Sequence, residues 1–172
     1  MDKFQKGKKI INKSIARKNL KEIYEVFNRN NIPLILIFGT LLGAVRENDF
    51  ISYDNDIDLA AFWKDRERIL KVIKEELPTF KIQPIPYEYD INLIRNDEKT
   101  EIWLFDDLGD VYCYDPERQP TLRYSKHFFD NAMINDFLGI KTLVPFNAKE
   151  FLTITYGPTW VTPNPNGSYI LK

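Results

Sequence analysis

Cysteine and histidine are almost missing, with Cys113 and His127 the single examples among 172 residues. A lone cysteine excludes an internal disulfide framework and fits a reducing compartment. His127 has no ligand cluster around it and reads as a surface or packing residue. Charge of one sign is also lacking: the formal net charge is −1, so nothing global favours nucleic acid or an anionic membrane. Long hydrophobic runs are absent. The longest, Ile32 to Phe38, contains Pro33 and is far too short to span a bilayer. The start of the chain has lysines but no apolar h-region, so no secretory signal is visible and a cytoplasmic location is expected. There is no G-x-G-x-x-G, no P-loop lysine, no internal repeat and no low-complexity tract.

What remains is an ordinary globular composition, 44% hydrophobic and 28% charged, enough for one domain with its own core. The expected organisation is a flexible basic N-terminus over residues 1–12, one domain over 13–163 and a loose tail over 164–172. Lys3, Lys6, Lys8, Lys9 and Lys13 form the one basic cluster, whose simplest reading is a solvated tail able to make weak membrane-surface contact.

Ser14 is placed to cap a helix in which Ala16, Leu20, Ile23, Tyr24 and Phe27 recur at helical spacing. Leu34 to Phe38 reads as a strand buried on both faces, followed by a Gly39-Thr40 turn and a short helix over Leu41 to Arg46. An alternating acidic strand then runs to Ala60. Asp65 opens a second helix through Ile69, Ile73 and Leu77. Extended segments follow at Phe80 to Ile85, Tyr89 to Arg95, Thr100 to Phe105 and Val111 to Tyr114. Residues 115–140 read as irregular with one short helix, and Asn147 with Glu150 resembles a capping box for a last helix ended by Gly157-Pro158. The order implies an α/β (α+β) domain around a small mixed β-sheet flanked by helices.

The chemistry concentrates between Gly39 and Leu59. Asp56 and Asp58 fall on one side of an extended chain, about 6.5 Å apart, with Ile57 and Leu59 on the other. Such a pair suits a hard divalent cation such as Mg2+ or Mn2+, especially one that also holds phosphate. Alone, its simpler reading is a polar strand edge facing water. A calcium loop over Asp54, Asp56 and Asp58 fails, because Leu59 stands at the sharp-turn position and Asp65 at the twelfth. The company of the pair raises the functional reading. Gly39 and Thr40 sit where backbone N–H groups receive phosphate, and Arg46 offers a guanidinium. Glu101, between apolar neighbours in T-E-I-W-L-F, is the candidate third carboxylate, with Asp106 and Asp107 behind it.

The stretches G-T-L-L-G-A-V-R and F-I-S-Y-D-N-D-I-D-L closely resemble the LicD family, which includes bacterial phosphocholine transferases and animal fukutin-type ribitol-phosphate transferases. T-E-I-W-L-F-D and F-L-G-I-K-T-L-V-P with F-L-T-I-T-Y-G-P-T-W-V-T-P resemble its later blocks in the same order. The resemblance implies a nucleotidyltransferase fold and Mg2+-dependent transfer of a phospho-group from a nucleotide-activated, often CDP-linked, donor to a sugar or glycan hydroxyl. It implies Gly39 and Thr40 at donor phosphate, Asp56 and Asp58 at metal, Arg46 neutralising phosphate, and Glu101 as ligand or base. Asn55 departs from the family's acidic run, and Glu101 stands where aspartate is usual. Two other readings stay open: transfer of a nucleotide onto a small molecule, protein or RNA, and a non-catalytic nucleotide- or sugar-binding module.

Overall fold

The computed structural model describes residues 9–164. The tail from 165, and Lys3, Lys6 and Lys8 of the basic cluster, lie outside the described residues. Of that cluster, Lys9 pairs with Glu98 at 2.9 Å and Lys13 with Asp49 at 2.7 Å.

Helix α1 (Lys13–Arg29) buries Ala16, Leu20, Ile23, Tyr24 and Phe27, the stripe its spacing predicts. Its cap is Asn12 rather than Ser14: the Asn12 side chain accepts from Ile15 N at 3.2 Å, so the helix starts two residues ahead of the expected cap. Strand β1 is only Ile35–Leu36, and helix α2 (Phe38–Arg46) begins almost at once. The tight reversal is made at Phe38, whose φ of 45° lies in the left-handed region. Gly39 and Thr40 are therefore the first turn of a helix, not a separate turn before it.

Strand β2 (Asp56–Phe62) lies antiparallel to β1 and parallel to β5 (Glu98–Asp107), with Asp56 opposite Lys99 and Asp58 opposite Glu101. A short 3-10 turn leads into α3 (Arg66–Glu76), where Asp65 holds the cap position without a side-chain cap bond. Ile69, Ile73 and Leu77 are buried as their spacing requires. Strands β3 (Lys81–Gln83) and β4 (Asp90–Arg95) follow, and β4 returns into β5 through Asn96-Asp97, both at positive φ. Strand β6 (Val111–Tyr114) is as the sequence reads.

Residues 115–140 are more regular than expected. They hold β7 (Arg123–Ser125), α4 (His127–Asp130) and β8 (Met133–Phe137), the last paired with β9 (Ile140–Val144). The β8–β9 turn uses Leu138 and Gly139 with φ of 56° and 76°. A leucine in that region carries no turn signal in the sequence. Helix α5 (Ala148–Tyr156) ends at Gly157, φ 82°, as expected, but its start is not a capping box. Asn147 is left-handed, and its amide donates to the Glu150 carboxylate at 2.7 Å instead of accepting from backbone.

Among the described residues the strands form one mixed sheet ordered β3-β4-β5-β2-β1-β9-β8, with β6 and β7 extending from β5. Ile57, Leu59, Ile91, Leu93, Ile102 and Leu104 alternate onto one face and are buried. Arg95 shares that face and bonds Asn19 of α1 at 2.8 Å, so α1 covers it. Asp56, Asp58, Lys99, Glu101, Trp103, Asp90 and Asn92 fall on the opposite face by the same alternation. No helix among the described residues is long and apolar enough to cross a membrane.

Candidate active site

The polar face of β2 and β5 is built on one close approach. Gly39 N donates to Asp58 Oδ2 at 3.0 Å, and the neighbouring Thr40 Oγ1 accepts from Asp58 N at 2.8 Å. Thr40 is buried, so its hydroxyl locks the first turn of α2 to the acidic strand. A Cβ on Gly39 would stand 2.3 Å from Asp54 Oδ2 and 3.1 Å from Asp58 Oδ2. Only a residue without a side chain leaves both carboxylates where they are.

Asp54, Asp56 and Asp58 each offer a carboxylate oxygen within 4.8 Å of the others. Asp54 precedes the strand; its Oδ1 accepts from Asn55 N at 3.0 Å, and its backbone carbonyl accepts from Ile11 N at 2.8 Å. Asp58 is buried and also accepts from the Trp103 indole N–H at 3.2 Å. Its pKa is pushed well above the ordinary range by burial first, then by the charges of Asp56, Asp54 and Glu101, against a smaller pull from Trp103. Glu101, opposite Asp58 on β5, is raised by burial, with Lys99 pulling the other way.

Lys99 runs between Asp56 and Glu101, 2.6 Å from Asp56 Oδ2 and 3.1 Å from Glu101 Oε2. Burial works against its ammonium, but Asp56 and Glu101 outweigh that and hold its pKa above the usual lysine range. On the adjoining strand Asp90 is pushed up to about 6 by burial, then relieved by the Tyr114 hydroxyl, which donates to it at 2.7 Å.

A divalent cation fits this donor set. The oxygens are hard, they converge, and their mutual repulsion is what a bound cation relieves. Asp54, Asp56 and Asp58 are placed to hold it, with Glu101 beside them.

The sequence-selected residues are thus not all together. Gly39, Thr40, Asp56, Asp58 and Glu101 converge. Arg46 sits at the other end of α2, about 10 Å along its axis. Its guanidinium contacts Glu47 at 2.6 Å, the Tyr53 hydroxyl at 3.0 Å and the Trp160 carbonyl at 3.2 Å. Asp107 pairs with Lys126 at 2.8 Å, and Asp106 accepts from Asp107 N, so neither joins the cluster. His127 packs on Phe146, and Cys113 is buried on β6.

Sequence reasoning passed over three members. Asp54 continues the two-residue alternation of Asp56 and Asp58, a signal that the rejected calcium loop had obscured. Lys99 and Trp103 stand two residues either side of Glu101 and therefore share its face.

A sequence model of the family described as LicD/FKTN/FKRP, nucleotidyltransferase domain, matches residues 31–147, well over half of the chain. The ribitol-5-phosphate transferase FKTN of Macaca fascicularis is 27% identical over 157 residues, covering 86% of this chain but 34% of that protein. The chain therefore spans about a third of the length of that relative. Among solved structures, the antibiotic-resistance factor ANT(2'')-Ia superposes with a TM-score of 0.59 at 13% identity, over 90% of this chain and 80% of that one. The lincosamide antibiotic adenylyltransferase LnuA gives 0.56 at 14% identity, over 78% and 83%. These two likenesses are of fold.

Proposed function

This chain belongs to the LicD/FKTN/FKRP nucleotidyltransferase family, and from that premise we propose that it is a metal-dependent phospho-group transferase. The donor is nucleotide-activated, with a CDP-linked polyol such as ribitol phosphate as first choice, and the acceptor is a sugar or glycan hydroxyl. The ribitol choice is supported by the name of the fukutin relative. Residues 13–163 act as one catalytic domain, with Mg2+ or Mn2+ as cofactor. Neither nucleic acid nor a membrane is needed as substrate, though the basic N-terminus suits weak contact with an anionic surface.

The observation that carries the reading is the seating of Gly39 against Asp54 and Asp58, with Glu101 in register beside them. Asp54, Asp56 and Asp58 would hold the cation, which when bound supplies charge neutralisation and alignment for the donor phosphates. The first turn of α2 turns backbone N–H groups toward the same point. Glu101 takes the proton of the acceptor hydroxyl, a role that its raised pKa suits. The acceptor oxygen bonds to phosphorus as the bond to the nucleoside monophosphate breaks. Arg46 holds Tyr53, the residue before Asp54, in place.

The test is product analysis with Mg2+ and a panel of CDP-linked donors. Release of CMP with growth of a phosphodiester product is the expected result. Release of pyrophosphate from a nucleoside triphosphate would instead support nucleotide transfer, the reading that the adenylyltransferase-like fold keeps open. Nucleotide binding indifferent to Mg2+, without turnover of any donor, would support a binding module.

A further inference from the structure

Four carboxylates crowd the polar face at Asp54, Asp56, Asp58 and Glu101, and one ammonium, that of Lys99, bridges two of them. Its side chain is 28% exposed, so it is held by the acids yet open to solvent. Arg46, the cation that the sequence offered for phosphate, has an 8% exposed side chain engaged by Glu47, Tyr53 and Trp160.

Electrostatics sets what Lys99 does next. Without a divalent ion, the strongest attraction on the ammonium is toward Asp56 and Glu101. A divalent cation on Asp54, Asp56 and Asp58 takes Asp56 from the ammonium and adds repulsion. A donor diphosphate arriving with the metal brings new negative charge to the same place. The flexible four-carbon stem lets the ammonium turn without moving β5.

We propose that Lys99 is the phosphate-binding cation of this centre, paired with Asp56 and Glu101 until a metal ion takes Asp56 and then pairing with the donor phosphate. The assignment deepens the transferase reading and rests on it for the identity of the donor, but not for the two binding events. It gives the site a built-in order. Metal releases Lys99, and only the released Lys99 completes the phosphate site.

The role predicts effects of opposite sign in one variant. In the full chain, Lys99→Met removes a competitor for the acids, so Mn2+ added alone binds roughly tenfold more tightly. With saturating Mn2+, the same variant binds inorganic pyrophosphate roughly tenfold more weakly, and Lys99→Arg recovers part of that loss. Both are read by isothermal titration on protein whose melting curve matches wild type; Lys99→Gln replaces the methionine variant if that one does not fold. Weaker Mn2+ binding in the variant would mean that Lys99 orients the acids instead of standing in for metal, and unchanged pyrophosphate binding would remove the phosphate role. Either result overturns the proposal. Wild-type protein that turns over no nucleotide-activated donor, while its Lys99 variants behave as predicted, would sink the transferase reading alone.

Discussion

Gly39 shows how much of this centre depends on one missing side chain. The obstacle to a Cβ there is the tip of Asp54, which can swing away, so Gly39→Ala should change stability by no more than about 1 kcal/mol. The displaced carboxylate is one of the three that converge, so Mn2+ affinity should fall by about tenfold or more. Thermal melting and Mn2+ titration on the same protein separate the two effects. Unchanged Mn2+ affinity would mean that Asp54 takes no part. The glycine and the D-x-D alternation were legible in the sequence because both are local signals. Lys99 was not, because its link to Asp56 depends on the parallel register of β2 and β5, fixed between residues 43 positions apart.

At the scale of the element, β4 carries an oddity on the polar face. Asp90 Oδ1 and Asn92 Oδ1 are buried without a hydrogen-bond partner among the described residues. A buried acceptor left unpaired is destabilising, and leucine matches asparagine closely in size. Asn92→Leu is therefore expected to raise stability by about 1 kcal/mol in urea unfolding. A loss of similar size would show that the amide is satisfied in solution. The elements that the sequence misjudged share one cause. The strand-to-helix reversal at Phe38 and the β8–β9 turn at Leu138 both put a large apolar residue at positive φ. Neither residue advertises a turn, so the first was read as strand and the second as irregular chain. The helix stripes of α1 and α3 were readable because burial of one face imposes a period.

For the molecule as a whole, the crowded acids make pH a stability variable. Asp90 stands at about 6 when folded against 3.8 for an ordinary aspartate. A folded pKa above the unfolded one means that the folded state holds the proton more tightly. Its contribution is full below the unfolded value and is lost as pH rises to the folded one. Burial raises Asp58 and Glu101 in the same direction. The metal-free protein should therefore be more stable near pH 5 than near pH 7.5, by on the order of 1–2 kcal/mol, and Asp90→Asn should flatten the difference. Urea unfolding with a chelator present measures it; a rise in stability toward neutral pH would contradict the reading. Saturating Mg2+ should remove much of the penalty, since binding to the folded form alone raises stability.

The centre itself is tested most directly by turnover of a CDP-linked donor with Mg2+, comparing wild type with Asp58→Asn. The substitution removes the charge and nearly preserves the shape, and its single amide oxygen serves one of the two donors that Asp58 accepts, Gly39 N on Oδ2 or Trp103 Nε1 on Oδ1. The account predicts CMP release that requires Mg2+ and falls by about a hundredfold or more in a variant whose melting curve still shows a cooperatively folded protein. Full turnover by Asp58→Asn would contradict it.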